Sequence, residues 1–309
     1  MPPIRHPLRQ GRWHLQHGPI DLVIGAEGEA AAVEAAHQAA WQRFTQVLSE
    51  LVAELPLLRL PVAERCPLQG VVAQRMWEAC HPHRHGFITP MAAVAGAVAQ
   101  EIAAAYARDG VDRAWVNNGG DIALHLAPGC SVSVGLFADL ARFDPASVDS
   151  LSLDGRFEVS ASTPVRGIAT SGWRGRSFSL GIADSVMVLA ATAAQADAAA
   201  TVIANAVDVD DPRIERRPAH TLQDDSDLGD RCVTVAVPLL PPHLVARALR
   251  HGAQRARELR ACGLIEGAVL VCQGQAVTTH AAQDPALPMP LLRPQARPAP
   301  ASAAGSVVA

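Results

Sequence analysis

The hydrophobic pattern of the chain changes character near its middle. In the first third, Ile20-Asp21-Leu22-Val23-Ile24 predicts a strand, and Gly25 to Gly28 turns the chain. Residues 29–55 carry apolar positions at helical spacing among Ala, Glu and Gln, which predicts one long helix stopped by Pro56. Residues 56–70 read as an irregular connector and 71–80 as a short helix. Thr89 as N-cap and Pro90 as first-turn proline then open a helix over Met91 to Arg108. Its small residues (Ala92, Ala93, Ala95, Gly96, Ala97, Ala99) admit a close neighbouring backbone. That suits either a core or a homodimer contact.

After Gly110 the period shortens. Trp115-Val116-Asn117 predicts a strand, and Ile122–Leu126 with Ser131–Phe137 predicts a hairpin. Strands are expected near 156–161, 165–170, 177–189, 233–237 and 268–272, and helices over 193–207 and 241–262. The first twenty residues are polar and carry no prediction. Strands and helices without a regular βαβ rhythm indicate an α+β fold. The organisation expected is one domain over 1–283 and a disordered Pro/Ala-rich tail over 284–309.

Composition narrows the function classes. The net charge is −4 and every basic residue is arginine. A mildly acidic chain argues against a general nucleic-acid binder. No apolar run is long enough for a membrane span. With no apolar leader at its start, the expected compartment is the cytoplasm. Without lysine, an anionic ligand must be met by arginine, backbone amides or a cation. The six cysteines are scattered without a CxxC pair and read as reduced thiols.

Three segments carry candidate chemistry. Asn117-Asn118-Gly119-Gly120-Asp121 follows a strand, where paired glycines make a turn or let a ligand approach the main chain. Asp121 there suits a hydroxyl, a ring N–H or a metal. Gly167-Ile168-Ala169-Thr170-Ser171-Gly172 leads into Trp173-Arg174-Gly175-Arg176, a hydroxyl-rich loop with two guanidiniums able to meet phosphates. Asp197 and Thr201 lie four residues apart on one helix face, and both offer hard oxygen donors suited to Mg²⁺.

These segments, in this order, resemble the ApbE superfamily of FAD:protein FMN transferases. The matching residues are Asn118-Gly119-Gly120-Asp121-Ile122, Gly167 to Gly172, and Ala196-Asp197 through Thr201. Thr89 to Ala97 and Gly172 to Asp184 look like a branch of short cytosolic ApbE-like proteins. The resemblance implies an α+β, T-fold-related architecture with a nucleotide cleft between strands and helix. It implies a flavin nucleotide, FAD or a relative, as ligand or substrate, and a Mg²⁺ ion held by the Ala169 carbonyl, Asp197 and Thr201. Asp197 and Thr201 would then be the catalytic pair. Asn118, Gly119, Gly120, Asp121, Thr170, Ser171 and Gly172 would line the nucleotide pocket. Arg174 and Arg176 join them as phosphate partners on charge and placement alone. The activity implied is transfer of FMN to a protein acceptor with release of AMP, or cleavage of the FAD pyrophosphate.

Two family segments are missing. The transferases carry a His-(x)-Ile-Asp-Pro-(x)-Thr-Gly stretch between the second and third segments, where this chain has only Trp173 to Asp184. Their N-terminal Ser-(x)-(x)-Ser-(x)-Leu-Asn stretch is absent too. A non-catalytic nucleotide sensor is therefore the alternative function. A third possibility is a Zn²⁺ site in Cys80-His81-Pro82-His83-Arg84-His85, which gathers thiol and imidazole ligands in six residues. The run Asp224-Asp225-Ser226-Asp227 reads as a solvated loop.

Overall fold

A computed structural model describes residues 2–136, 155–175 and 177–279. The tail expected over 284–309 and the loop residue Arg176 lie outside the described residues. In chain order the elements are β1 (Ile4–Pro7), β2 (Trp13–His17), β3 (Ile20–Gly28), α1 (Ala30–Ala53), α2 (Leu55–Leu58), α3 (Val71–Cys80), α4 (Val94–Ala103), β4 (Val111–Asn118), β5 (Asp121–Leu126), β6 (Ser131–Leu136), β7 (Gly155–Ser160), β8 (Gly167–Ser171), β9 (Ser185–Ala190), α5 (Ala193–Ala206), β10 (Glu215–Pro218), β11 (Cys232–Ala236), α6 (Pro242–Ala261), β12 (Gly267–Cys272) and β13 (Gln275–Thr278). The α+β class is as the sequence predicts.

One nine-stranded sheet forms the frame, in the order β1-β2-β3-β4-β5-β8-β9-β12-β13. Every neighbouring pair is antiparallel. Strand alternation divides its central part into two buried faces. Ala169, Val186, Val188, Ala190, Ala268 and Leu270 face a core shared with α5 and α6. The intervening Ile168, Met187, Leu189, Val269 and Val271 face the opposite way, against Val132, Val134, Phe157 and Val159 of the β6–β7 ribbon. All six residues of β9 and all six of β12 are buried, and apart from Ser185 at the start of β9 these strands read as continuous apolar runs. A third core joins β3 and β4 to α1, α3 and α4 through Leu22, Ile24, Val116, Phe44, Met76 and Ile102.

Several expectations are corrected. The helix over 29–55 ends at Ala53, and Pro56 sits in the first turn of the short α2 instead of stopping a helix, because a first turn tolerates the missing N–H. The helix over 91–108 is a 3-10 turn at Pro90–Ala93, then α4, then a second 3-10 turn at Ala104–Tyr106. β5 does not pair with β6; its partners are β4 and β8, and β6 pairs with β7. The strand over 177–189 shortens to β9. β1, β2, β10 and β13 carry no sequence prediction, and all four have mixed polar composition.

The alanine-rich stretches are where helices touch. α4 and α5 cross at Gly96, where a Cβ would stand 2.3 Å from the Ala193 carbonyl oxygen. At Gly167 of β8, a Cβ would stand 2.1 Å from the Thr192 backbone, so glycine lets the start of α5 rest on the strand. Thr192 caps that helix by accepting from the Gln195 amide at 3.3 Å. Ala97, Val98, Ala99 and Ile102 are fully buried within the chain, so the small-residue stripe of α4 serves this core.

Candidate functional site

The three sequence segments meet where β5, β8, α4 and α5 converge. The first is a hairpin turn that also aims a carboxylate. Asn118 pairs with Asp121 across the turn. Gly119 and Gly120 have φ of +66° and +111°, values that suit a two-glycine turn and strain other residues. The Asn117 side chain accepts the Gly120 amide at 2.8 Å, and the Asn118 amide group donates to the Ala95 carbonyl of α4 at 3.1 Å.

Asp121 begins β5 at the point where β8 continues past it. The β5–β8 ladder covers Ile122↔Ile168 and Ala123↔Gly167. Beyond it, the Thr170 amide donates to Asp121 Oδ1 at 3.1 Å. A side chain thus replaces the next rung of the ladder. Ala169 and Ser171 pair with β9, in register with Val188 and Val186.

Asp197 lies in α5, and its Oδ2 accepts the Gly96 amide at 2.9 Å, in the first turn of α4. A carboxylate at a helix N-terminus is favoured by the unpaired amides and the helix dipole. Thr201 is one turn further along α5 and half-buried.

Burial dominates both carboxylates, and the charge of Asp121 acts on Asp197. Burial pushes Asp121 up to about 7, with the Thr170 amide pulling back. Asp197 is raised well above the carboxylate range by burial first and then by the charge of Asp121, against the pull of the Gly96 and Ala95 amides. Among the described residues, neither forms an ion pair with Arg or His. Two buried acids without a counter-charge hold protons or take a cation. The carboxylate oxygens here are hard donors, which suit Mg²⁺ better than a soft metal. Among the described residues, no group of three or more His, Cys, Asp or Glu stands ready to hold a metal, so such an ion would need ligand phosphates and water to complete its shell.

Two further predicted site residues, Gly172 and Arg174, follow the end of β8. Gly172 is buried, and a Cβ there would lie 2.4 Å from the Asp184 carbonyl oxygen. The Arg174 guanidinium lies over the Trp173 ring, 4.8 Å from its centroid, on an exposed turn. The Trp173 indole donates to Asp184 at 3.3 Å.

The Cys80–His85 segment does not form a zinc centre. The Cys80 thiol is buried and directed at the Pro90 carbonyl at 4.0 Å. The His81 ring stacks on Trp77 with centroids 4.3 Å apart, and His83 is buried, its pKa lowered to about 4 chiefly by burial. His85 is exposed. Consecutive residues on a turn point to different surroundings, so the six-residue run does not converge.

Sequence reasoning missed the α4 amides of Ala95 and Gly96, since a backbone donor leaves no mark in residue type. It also missed Asp227, whose carboxylate accepts the Thr89 hydroxyl. Thr89 immediately before Pro90 was the available signal, although its side chain bonds Asp227 and not the helix start.

The fold and site define an α+β protein with paired buried carboxylates at a hairpin–helix junction. A family model described as AbpE bacteria matches residues 5–278, and the chain belongs to that family, within the ApbE-like superfamily. The chain is similar to the UPF0280 protein of Methanopyrus kandleri, 35% identical over 222 residues that cover 70% of this chain and 83% of the relative. It is also similar to the UPF0280 protein of Methanothrix thermoacetophila, 35% identical over 63% of this chain and 76% of the relative. Among solved structures, the apo flavinyl transferase ApbE of Pseudomonas stutzeri aligns over 90% of this chain and 93% of its own, with a TM-score of 0.40 and 13% identity. No helix among the described residues is long and apolar enough to cross a membrane.

Proposed function

We propose that the protein binds a flavin nucleotide, FAD or a close relative, together with Mg²⁺, and acts in FMN transfer or FAD pyrophosphate cleavage. The observation that carries this reading is the Asp121–Asp197 pair, two buried carboxylates held by backbone amides of β8 and α4 beside a glycine turn and a hydroxyl-rich strand end. Family membership supports the same reading. The ion would be held by Asp197, Thr201 and the Ala169 carbonyl, with Asp121 beside it. Bound there, Mg²⁺ supplies Lewis-acid polarisation and charge neutralisation for a pyrophosphate. The chain's own residues bind and orient. The Gly119–Gly120 turn leaves room for close ligand approach, and Thr170 and Ser171 offer hydroxyls at the end of β8. Arg174 and Arg176 supply guanidiniums for phosphate oxygens. A hydroxyl of a protein acceptor would take the FMN group.

Purified protein given FAD and Mg²⁺ is expected to quench flavin fluorescence and to release AMP, followed by chromatography. Absence of FAD binding at high micromolar concentration would overturn the flavin reading. A second reading, a nucleotide sensor without turnover, is favoured by one contact. Asp197 already caps α4 through Gly96, so ligand binding at this carboxylate would be felt by a helix end. Tight binding with no AMP or FMN produced would select it.

A further inference from the structure

A groove lies beside the candidate site, built from residues that the nucleotide motifs do not include. β10 and β11 form a ribbon whose connecting loop runs from Ala219 to Arg231. The loop is closed on itself by the Ala219 amide donating to the Arg231 carbonyl at 2.9 Å and the His220 amide to Gly229 at 3.0 Å. It is tied down at two further points, Asp225 to Arg59 at 2.5 Å and Asp227 to Thr89. Between the loop and the 87–89 segment is an open groove of about 450 Å³, lined by Phe87, Asp227, Leu228, Gly229, Asp230 and Arg231.

One wall of that groove is a preassembled stack. The Arg231 guanidinium lies over the Phe87 ring, 3.5 Å from its centroid, while Arg231 itself remains exposed. A guanidinium pinned on one face by an aromatic ring offers its other planar face to a further π system. Asp227 and Asp230 add acceptors at the groove, suited to the ring N–H or amino groups of a heterocycle. The groove also adjoins the carboxylate pair. The 3-10 turn Pro90–Ala93 next to this groove packs against α5, the helix that carries Asp197. Thr89, which holds Asp227, precedes the turn that leads into the α4 amides on Asp197.

We infer that the Phe87–Arg231 groove seats the planar heteroaromatic ring of the bound nucleotide, stacked on the Arg231 guanidinium, with its phosphates toward Asp197. This rests on the nucleotide-binding reading above and adds the ring-recognition residues to it. The ring is either the isoalloxazine or the adenine of a dinucleotide, and both share the chemistry the groove offers.

The test compares wild type with Arg231→Gln and Phe87→Leu in titrations of FAD, FMN and ADP, all with Mg²⁺. Arg231 is exposed, so Arg231→Gln keeps the fold even if Phe87→Leu loosens it. Loss of one ring stack is expected to weaken FAD binding by about tenfold or more in Arg231→Gln. A parallel loss with FMN assigns the groove to the isoalloxazine, and a parallel loss with ADP assigns it to the adenine. Wild-type FAD binding with unchanged affinity in Arg231→Gln would overturn the groove while leaving the nucleotide reading intact. Failure of wild type to bind any of the three would overturn both.

Discussion

Two short regions of the chain concentrate chemistry in their sequences, and they have opposite fates. Cys80–His85 packs a thiol and three imidazoles into six residues, yet the structure scatters them: the thiol toward Pro90, one ring onto Trp77, another into the interior. Asp121, Thr170 and Asp197 are far apart in sequence, and the structure gathers them at one junction. Nearness along a chain says little about convergence on a turn, where successive side chains diverge. Nearness across an antiparallel sheet and a helix packed on it is set by register and by close contact. Here the register is Ile122↔Ile168, and the contact is Gly96 against Ala193.

The sharpest way to break this contrast is at Gly96. A Cβ there would stand 2.3 Å from the Ala193 carbonyl and 2.9 Å from the Asp197 Cβ, and neither is a flexible chain end. Gly96→Val is expected to cost about 3 kcal/mol, the upper range for overpacking, read by urea unfolding. A wild-type midpoint in that variant would show that α4 and α5 do not need this contact.

Acidity gives the next largest effect. Asp121 and Asp197 bind protons more tightly in the folded chain than in the unfolded one, because burial disfavours their charge. A carboxylate with a raised folded pKa stabilises least when both states are ionised. Their contribution to stability is therefore highest below the ordinary value of 3.8 and is lost as pH rises, for Asp121 through about 7 and for Asp197 through a folded value likewise raised well above the ordinary one. Melting temperature should decline across this window in the absence of divalent cations. Mg²⁺ should restore more of it at pH 8 than at pH 5. Asp197→Asn should flatten the decline, and an equally steep profile in that variant would separate the two carboxylates.

The smallest effect is expected at the other region. His85→Ala should change stability by no more than about 0.5 kcal/mol, as for an exposed residue. Elemental analysis should find no stoichiometric zinc. Zinc retained through chelation would restore the Cys80–His85 run as a site.

Much of the fold is legible from residue pattern. The continuous apolar runs of β9 and β12 and the spacing of α1, α3, α5 and α6 appear directly in the sequence. What escaped has physical causes. β1 and β2 lie at the rim of the sheet and are short and rich in Arg, His and Gln, so each offers only one or two apolar positions from which to read a strand. β5 shows itself as a strand, but alternation cannot say which strand it joins, and its partner β8 lies beyond β6 and β7. Of the site, Asp121, Thr170 and Asp197 could be named from their segments. The effect of Asp121 on Asp197 could not, because it depends on a distance set by packing. The amides of Ala95 and Gly96 carry no side-chain signature at all.

The central claim is that the Asp121–Asp197 junction holds a flavin nucleotide through Mg²⁺. Calorimetric titration of FAD into wild type and Asp197→Asn, each with Mg²⁺ and with chelator, tests it most directly. Wild type is expected to bind FAD only with Mg²⁺, and Asp197→Asn to lose that Mg²⁺-dependent binding. Equal FAD affinity in both proteins, with or without the cation, would contradict it.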